Sequence, residues 1–284
     1  MAVLLKGAPA AEAIIQETAA RAAALRTRGI VPCLAIVRAG ERADDISYET
    51  GAVKKCTASG VAVKSVVLPA DVSSGALLAA LNALNRDPLV HGILLLRPLP
   101  EQADEQAALR LLAPEKDVDG CTAGSMAAVY ANTGVGFAPC TAEAVLAVLD
   151  HYGIDPAGKR AVVLGRSTVV GRPVALLLMH RNATVTVCHT GTRDVASLAA
   201  SADILVTATG RLENVTKAYL APGQTVIDVG IGWSEKKRKL CGDVLFEDAE
   251  PLVSALTPVP GGVGAITSAL LARHTVEAAE RSIG

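Results

Sequence analysis

The apolar positions along the chain first keep a helical spacing and then condense into short runs. Ala10, Ile14, Ile15 and residues 22–25 predict a helix from Ala8 to Arg28. Pro32 to Val37 reads as a short apolar strand and Ile46 to Gly60 as a helix ended by glycine. Val61 to Leu68 reads as a second strand, Leu77 to Asn85 as a helix, and His91 to Leu96 as a nearly all-apolar third strand. A Gly- and Pro-containing stretch, Thr133 to Pro139, interrupts this alternation, and Ala142 to His151 predicts a connecting helix. After Gly158 a second series begins, with strands at Ala161–Leu164, Thr184–Cys188, Ile204–Ala208 and Thr225–Val229. A final helix, Ile266 to Arg281, is expected to pack back on the first lobe. Strands that alternate with helices predict an α/β fold in two lobes, each built on a mainly parallel sheet. No repeat of 20 to 50 residues and no low-complexity linker breaks the pattern.

Composition narrows the class. A chain of 284 residues suits two lobes rather than one. Hydrophobic residues make up 51% but aromatics only 2%, so Ala, Val and Leu must build the core, as in helices packed on parallel sheets. The net charge is -1 with no basic block, which argues against nucleic acid as a partner. No apolar run reaches the roughly 18 residues of a membrane span. The first sixteen residues hold Lys6 as their only basic residue and lack a signal peptide's apolar stretch, so the expected compartment is cytoplasmic. The six cysteines form no C-x-x-C pair and read as reduced, mostly buried thiols. The five histidines have no metal-binding spacing, so no protein-bound metal is expected.

The best single motif is Gly165-Arg166-Ser167-Thr168-Val169-Val170-Gly171-Arg172-Pro173, between the strand 161–164 and an apolar helix, Val174 to Met179. A phosphate loop needs this placement, because glycines let the backbone approach a pyrophosphate and a helix N-terminus offers unpaired N–H groups. The spacing departs from G-x-G-x-x-G: Ser stands at the middle glycine and the last glycine comes one residue later. A glycine turn alone would give the same pattern, and it is the flanking strand and helix that favour a dinucleotide. The second strand ends at Cys188-His189-Thr190, without the Asp or Glu that would accept from an NAD ribose. Thr190, Arg193 and Arg166 suit the 2′-phosphate of NADP, although Asp194 beside Arg193 leaves a solvated loop arginine as the alternative.

Three further stretches sharpen this reading. Lys116-Asp117-Val118-Asp119-Gly120 closes the first lobe, Pro139-Cys140-Thr141 precedes the connecting helix, and Thr257-Pro258-Val259-Pro260-Gly261-Gly262-Val263-Gly264 precedes the last one. With the Gly165 loop, and in this order, they resemble the methylenetetrahydrofolate dehydrogenase/methenyltetrahydrofolate cyclohydrolase family over nearly the whole chain. The resemblance implies a folate-binding catalytic domain, 1–140 with 269–284, and a Rossmann-like NADP-binding domain, 141–268. It implies a homodimer with its active site in the cleft between lobes and tetrahydrofolate one-carbon derivatives as substrates. It implies that Asp119 binds the pterin, whose amino and ring N–H groups suit a carboxylate. Tyr48 matches the active-site tyrosine, Gly165, Arg166, Ser167, Gly171 and Thr190 fall in the cofactor site, and Ile231 lies beside the nicotinamide. Pro260, Gly261 and Gly262 are expected to line the cleft where substrate and nicotinamide meet.

Two positions depart from the family pattern together. Its Tyr-x-x-x-Lys helix reads Tyr48-Glu49-Thr50-Gly51-Ala52 here, so Ala52 stands where the lysine of the cyclohydrolase step belongs. Lys54 lies about 120° from Tyr48 round a helix and matches a different family lysine. Leu96 stands where the family has the glutamine that hydrogen-bonds the lysine. Losing one polar partner would strand the other at about 1–3 kcal/mol, whereas replacing both by apolar groups is far cheaper. Ala265, in place of a proline, is a minor change. The expectation is a dehydrogenase with cyclohydrolase activity lost or strongly reduced. The alternatives are a bifunctional enzyme that hydrolyses with Lys54, Arg97 or a water held by Asp119, and a non-catalytic folate- or NADP-binding protein.

Overall fold

The computed structural model describes residues 1–283. In chain order it runs β1 (Val3–Leu4), α1 (Gly7–Thr27), β2 (Cys33–Ala39), α2 (Ala43–Ala58), β3 (Ala62–Leu68), α3 (Ser74–Arg86), β4 (Gly92–Leu95), α4 (Glu105–Leu111) and α5 (Ala123–Ala131). It continues with α6 (Cys140–His151), β5 (Arg160–Leu164), α7 (Gly171–His180), β6 (Thr184–Cys188), α8 (Val195–Ala200), β7 (Ile204–Thr207) and β8 (Thr225–Asp228). It closes with β9 (Gly232–Ser234), β10 (Lys239–Cys241), α9 (Phe246–Ala249), β11 (Ala255–Leu256) and α10 (Thr267–Arg281). Two compact units result, one holding residues 12–140 with the stretch from Ser268, the other residues 1–11 with 141–267.

The first unit is built on a three-stranded parallel sheet of order β3-β2-β4. On one face Ala35, Val37, Ile93 and Leu95 meet Leu77, Leu81 and Leu84 of α3, which recur at i, i+4 and i+7. Ser73 caps that helix by accepting from Ala76 N. The other face carries Leu34, Ile36 and Leu94, all buried. Helix α2 begins three residues earlier than the apolar spacing predicts. Asp44 and Asp45 fill its first turn, where a helix dipole favours carboxylates and apolar periodicity gives no signal. The C-terminal helix packs on this unit. His274 stacks on Phe137 at 4.9 Å, Arg281 lies over the same ring, and Arg21 pairs with Glu280 at 2.6 Å.

The second unit holds a six-stranded sheet of order β1-β11-β8-β7-β5-β6, parallel throughout. Strands β7 and β8 are buried along their whole length, with Ile204, Leu205 and Val206 in β7 and Val226 and Ile227 in β8 as their apolar centres. An antiparallel hairpin, β9–β10, follows β8. The first eleven residues join this unit because β1 pairs with β11, whereas the sequence places them with the folate-binding domain. A two-residue strand with an exposed Val3 carries no periodic signal. The six cysteines are free thiols, and among the described residues no helix is long and apolar enough to cross a membrane.

Gly92 opens β4 where a Cβ would stand 2.7 and 2.9 Å from the methyls of the buried Val118. Gly92→Ala is therefore expected to lower stability by about 1–3 kcal/mol through overpacking. Urea unfolding midpoints check this, and adding Val118→Ala should recover part of the loss.

Candidate active site

In the first unit, the stretch Lys116-Asp117-Val118-Asp119-Gly120 divides its work between two carboxylates. Asp117 is fully buried and organises the turn. It accepts from Cys121 N at 3.0 Å, Thr122 N at 2.8 Å and the Ser125 hydroxyl at 2.6 Å. Gly120, at φ 68°, lies so close to the Ala138–Pro139 peptide that a Cβ would come within 2.5 Å of it. That approach brings the Pro139-Cys140 stretch beside Asp119. Cys140 Sγ donates to Val118 O at 3.4 Å, and His274 Nδ1 donates to the same oxygen at 2.8 Å. Burial and the neighbouring Asp117 push the Asp119 carboxyl up to about 6, against the charges of Arg97 and His274 and a hydrogen bond from Cys140. Arg97, just beyond β4, pairs with Glu105 at 3.5 Å.

Helix α2 turns Asp45, Ala52 and Cys56 inward, and Tyr48 stands at the border of that face, 38% exposed. Ala52 is fully buried and Leu96 nearly so. Lys54 is exposed. The polar link from α2 to the sheet runs elsewhere. Glu49 receives Arg38 Nε at 2.7 Å, with both side chains largely buried, and Arg38 Nη1 also donates to Gly40 O. Leu96 N donates to Val37 O, which puts Leu96 level with Arg38 on neighbouring strands. Sequence reasoning missed this pair, because Arg38 and Glu49 are too far apart for any local pattern.

In the second unit the Gly165 loop leaves the C-terminal end of β5. Gly165 has φ 123°, and a Cβ there would lie 2.2 Å from Ala208 O; one on Gly171 would lie 2.2 Å from Gly165 O. Ser167 Oγ accepts from Val170 N at 3.1 Å and Gly171 N at 3.4 Å, so the loop folds tightly into α7. Arg166, Ser167, Thr190 and Arg193 are exposed. The segment after β8 leads to Ile231, 62% exposed. Gly7 N donates to Gly261 O at 2.8 Å, and a Cβ on Gly7 would strike Gly262 O, so the residues after β1 brace the Pro260-Gly261-Gly262 turn. These segments all leave the C-terminal ends of parallel strands, where open α/β sheets bind ligands.

Residues 5–119 match the catalytic-domain model of tetrahydrofolate dehydrogenase/cyclohydrolase, and residues 139–283 match its NAD(P)-binding domain. The chain belongs to the tetrahydrofolate dehydrogenase/cyclohydrolase family. It is 47% identical over 281 residues to the bifunctional protein FolD of Carboxydothermus hydrogenoformans, covering 99% of this chain and 98% of that one. The crystal structure of the Campylobacter jejuni bifunctional enzyme FolD superposes with a TM-score of 0.95 at 36% identity, covering 99% of both chains. The Trypanosoma brucei methylenetetrahydrofolate dehydrogenase-cyclohydrolase, complexed with NADP and an inhibitor, gives 0.91 at 36%, covering 99% of this chain and 98% of that one. In tetrahydrofolate dehydrogenase/cyclohydrolase terms, the catalytic-domain unit carries Tyr48, Ala52, Leu96 and Asp119. The NAD(P)-binding unit carries Gly165, Arg166, Ser167, Gly171, Thr190, Arg193, Ile231 and the Pro260–Gly262 turn.

A carboxyl whose folded pKa lies above its unfolded value near 3.9 costs stability once it ionises. For Asp119 that cost appears as pH rises from about 4 through about 6 and is absent below. Asp119→Asn is therefore expected to melt higher than the parent at pH 7.5, on the order of a few degrees. The gap should close by about pH 4, and paired melting curves across that range check it.

Proposed function

We propose that this protein oxidises 5,10-methylenetetrahydrofolate to 5,10-methenyltetrahydrofolate with NADP, and that it has lost most or all of the cyclohydrolase step. The observation that carries the second part is the pair Ala52 and Leu96, both buried and both apolar. Hydrolysis of the methenyl cation needs water attack and proton movement, and hence a positioned polar group. Neither residue supplies one, and the nearby Arg38 and Glu49 are committed to each other. Oxidation asks for less. Departure of a hydride leaves a cation stabilised by the N5 and N10 lone pairs, so no protein base is required and the site mainly positions the substrate and excludes water.

In this reading Asp119 receives the pterin amino and ring N–H groups, and Tyr48 packs beside the substrate. Pro260, Gly261 and Gly262 line the reacting end. The residues of the Gly165 loop fit a dinucleotide, since glycines stand where any Cβ would clash and the loop runs into the N-terminus of α7. Bound NADP supplies the hydride acceptor. Gly165, Arg166, Ser167 and Gly171 hold its phosphates, Thr190, Arg193 and Arg166 favour the 2′-phosphate, and Ile231 packs beside the nicotinamide. We place the enzyme in cytoplasmic one-carbon metabolism as a homodimer.

The purified protein should form methenyltetrahydrofolate from the methylene substrate, while methenyl decay stays near the buffer rate. General acid–base assistance contributes typically about 10²–10⁴-fold, so its absence is easy to read by absorbance. Ala52→Lys with Leu96→Gln is expected to restore hydrolysis better than Ala52→Lys alone, because Leu96 cannot orient the ammonium. Rapid hydrolysis by the parent would reject the proposed loss.

The parent should also prefer NADP to NAD in kcat/KM. Arg166→Ala is expected to weaken NADP by about tenfold or more and NAD little, since a charge-assisted contact to the 2′-phosphate disappears. Equal efficiency with both cofactors in the parent would count against the assignment.

A further inference from the structure

Beyond β8 the chain makes an excursion over residues 229–242, through Ile231 and the β9–β10 hairpin, and returns at Asp243. One buried carboxylate holds both ends of it. Asp228 Oδ1 accepts from Gly230 N at 3.0 Å on the outward limb and from Asp243 N at 3.1 Å on the return, and Oδ2 accepts from Val244 N at 2.9 Å. The hydroxyl of Thr207, at the end of β7, adds a bond of 3.0 Å to Oδ1. A second buried carboxylate, Asp243, reaches the neighbouring loop: its Oδ2 accepts from Thr209 N and from Gly210 N. Asp243 Oδ1 is buried with no hydrogen-bond partner and lies where a Cβ on Gly230 would come within 2.2 Å. A Cβ on Gly242 would likewise come within 2.0 Å of Asp228 Oδ2. The sequences Asp228-Val229-Gly230 and Gly242-Asp243-Val244 are thus locked reciprocally, each glycine against the other segment's carboxylate.

We infer that Asp228 and Asp243 are positioning residues for the cofactor. Together they clamp the loops after β7 and β8 in one arrangement, and so fix Gly230 and Ile231 against the nicotinamide half of the dinucleotide. The inference rests on the cofactor site proposed above. A loop whose backbone N–H groups are already bound to buried acceptors loses little freedom when a ligand arrives, which is the advantage of a preorganised site. Both carboxylates are nearly or fully buried, the donors are mostly backbone, and neither side chain faces an ammonium or guanidinium in this network. Their bonds are therefore spent on backbone placement rather than on a charge pair.

The test uses the full chain and begins without cofactor. Hydrogen exchange at the amides of Thr209, Gly210 and Gly230 is compared in the parent, Asp243→Ala, Asp243→Asn and Gly230→Ala, with melting temperature as a fold control. NADPH affinity by calorimetry and the KM for the folate substrate complete the set. Asp243→Ala and Gly230→Ala are expected to accelerate exchange and to weaken NADPH about tenfold or more, with folate KM nearly unchanged. Asp243→Asn keeps an acceptor oxygen for Thr209 and Gly210 and is expected to stay close to the parent. If Asp243→Ala does not fold, Thr207→Val, which removes only one donor to Asp228, should show the same changes at reduced size. A folded Asp243→Ala with parental exchange and parental NADPH affinity overturns the inference, as does a loss in Asp243→Asn equal to that in Asp243→Ala. A parent that binds NADPH but does not oxidise methylenetetrahydrofolate rejects the proposed function instead, and the clamp is still decided by exchange and NADPH affinity.

Discussion

Backbone N–H groups in the buried turns and loops between elements must find acceptors, and in this chain buried aspartates provide several of them. Asp117 gathers two amides and a hydroxyl around the turn that presents Asp119. Asp228 and Asp243 gather the amides around Ile231 and Gly210. Each of these loops is thus shaped by a buried carboxylate. The desolvation borne by such groups is visible at Asp228, whose carboxyl is pushed up to about 6 by burial. The Val244 and Asp243 amides pull it back, the Asp243 carboxylate adds to the rise, and Thr207 opposes it.

The Tyr48 helix shows the complementary constraint. A buried ammonium needs an oxygen partner, and a buried amide needs a donor or acceptor. With Ala52 and Leu96 neither group is present and neither is missed. The helix is instead tied to the sheet by Arg38 and Glu49, one turn nearer its N-terminus, in a bond of 2.7 Å. Tyr48 keeps its place beside a polar anchor while the positions around Ala52 become hydrocarbon. Holding a substrate asks little of such hydrocarbon positions, whereas moving a proton asks for a positioned polar group.

Much of this was readable in the sequence. Strands buried on both faces, such as 161–164 and 204–207, appear as apolar runs, and the Gly165 loop is marked by its position between a strand and a helix. Asp119 and Tyr48 were reached only through the resemblance, since an Asp before Gly or a lone Tyr on a helix is uninformative alone. Three things stayed hidden, each for the same reason. Strand β1 has two residues and exists only because it pairs with β11 across some 250 positions. The Arg38–Glu49 pair needs the approach of α2 to β2, and the Asp228–Asp243 lock needs the hairpin between them to close. Long-range contacts of this kind leave no period in the chain.

The way the chain is shared out has a consequence for its evolution. Neither unit is one continuous segment: the chain changes unit after residues 11, 140 and 267. A single recombination event therefore cannot replace one unit and leave the other whole. It would split a sheet from its outermost strand at one end, or take α10 from the ring of Phe137 at the other. Swapping the cofactor unit intact requires three coordinated junctions, so new specificity in this architecture is more accessible through single positions inside the lobes than through exchange of modules.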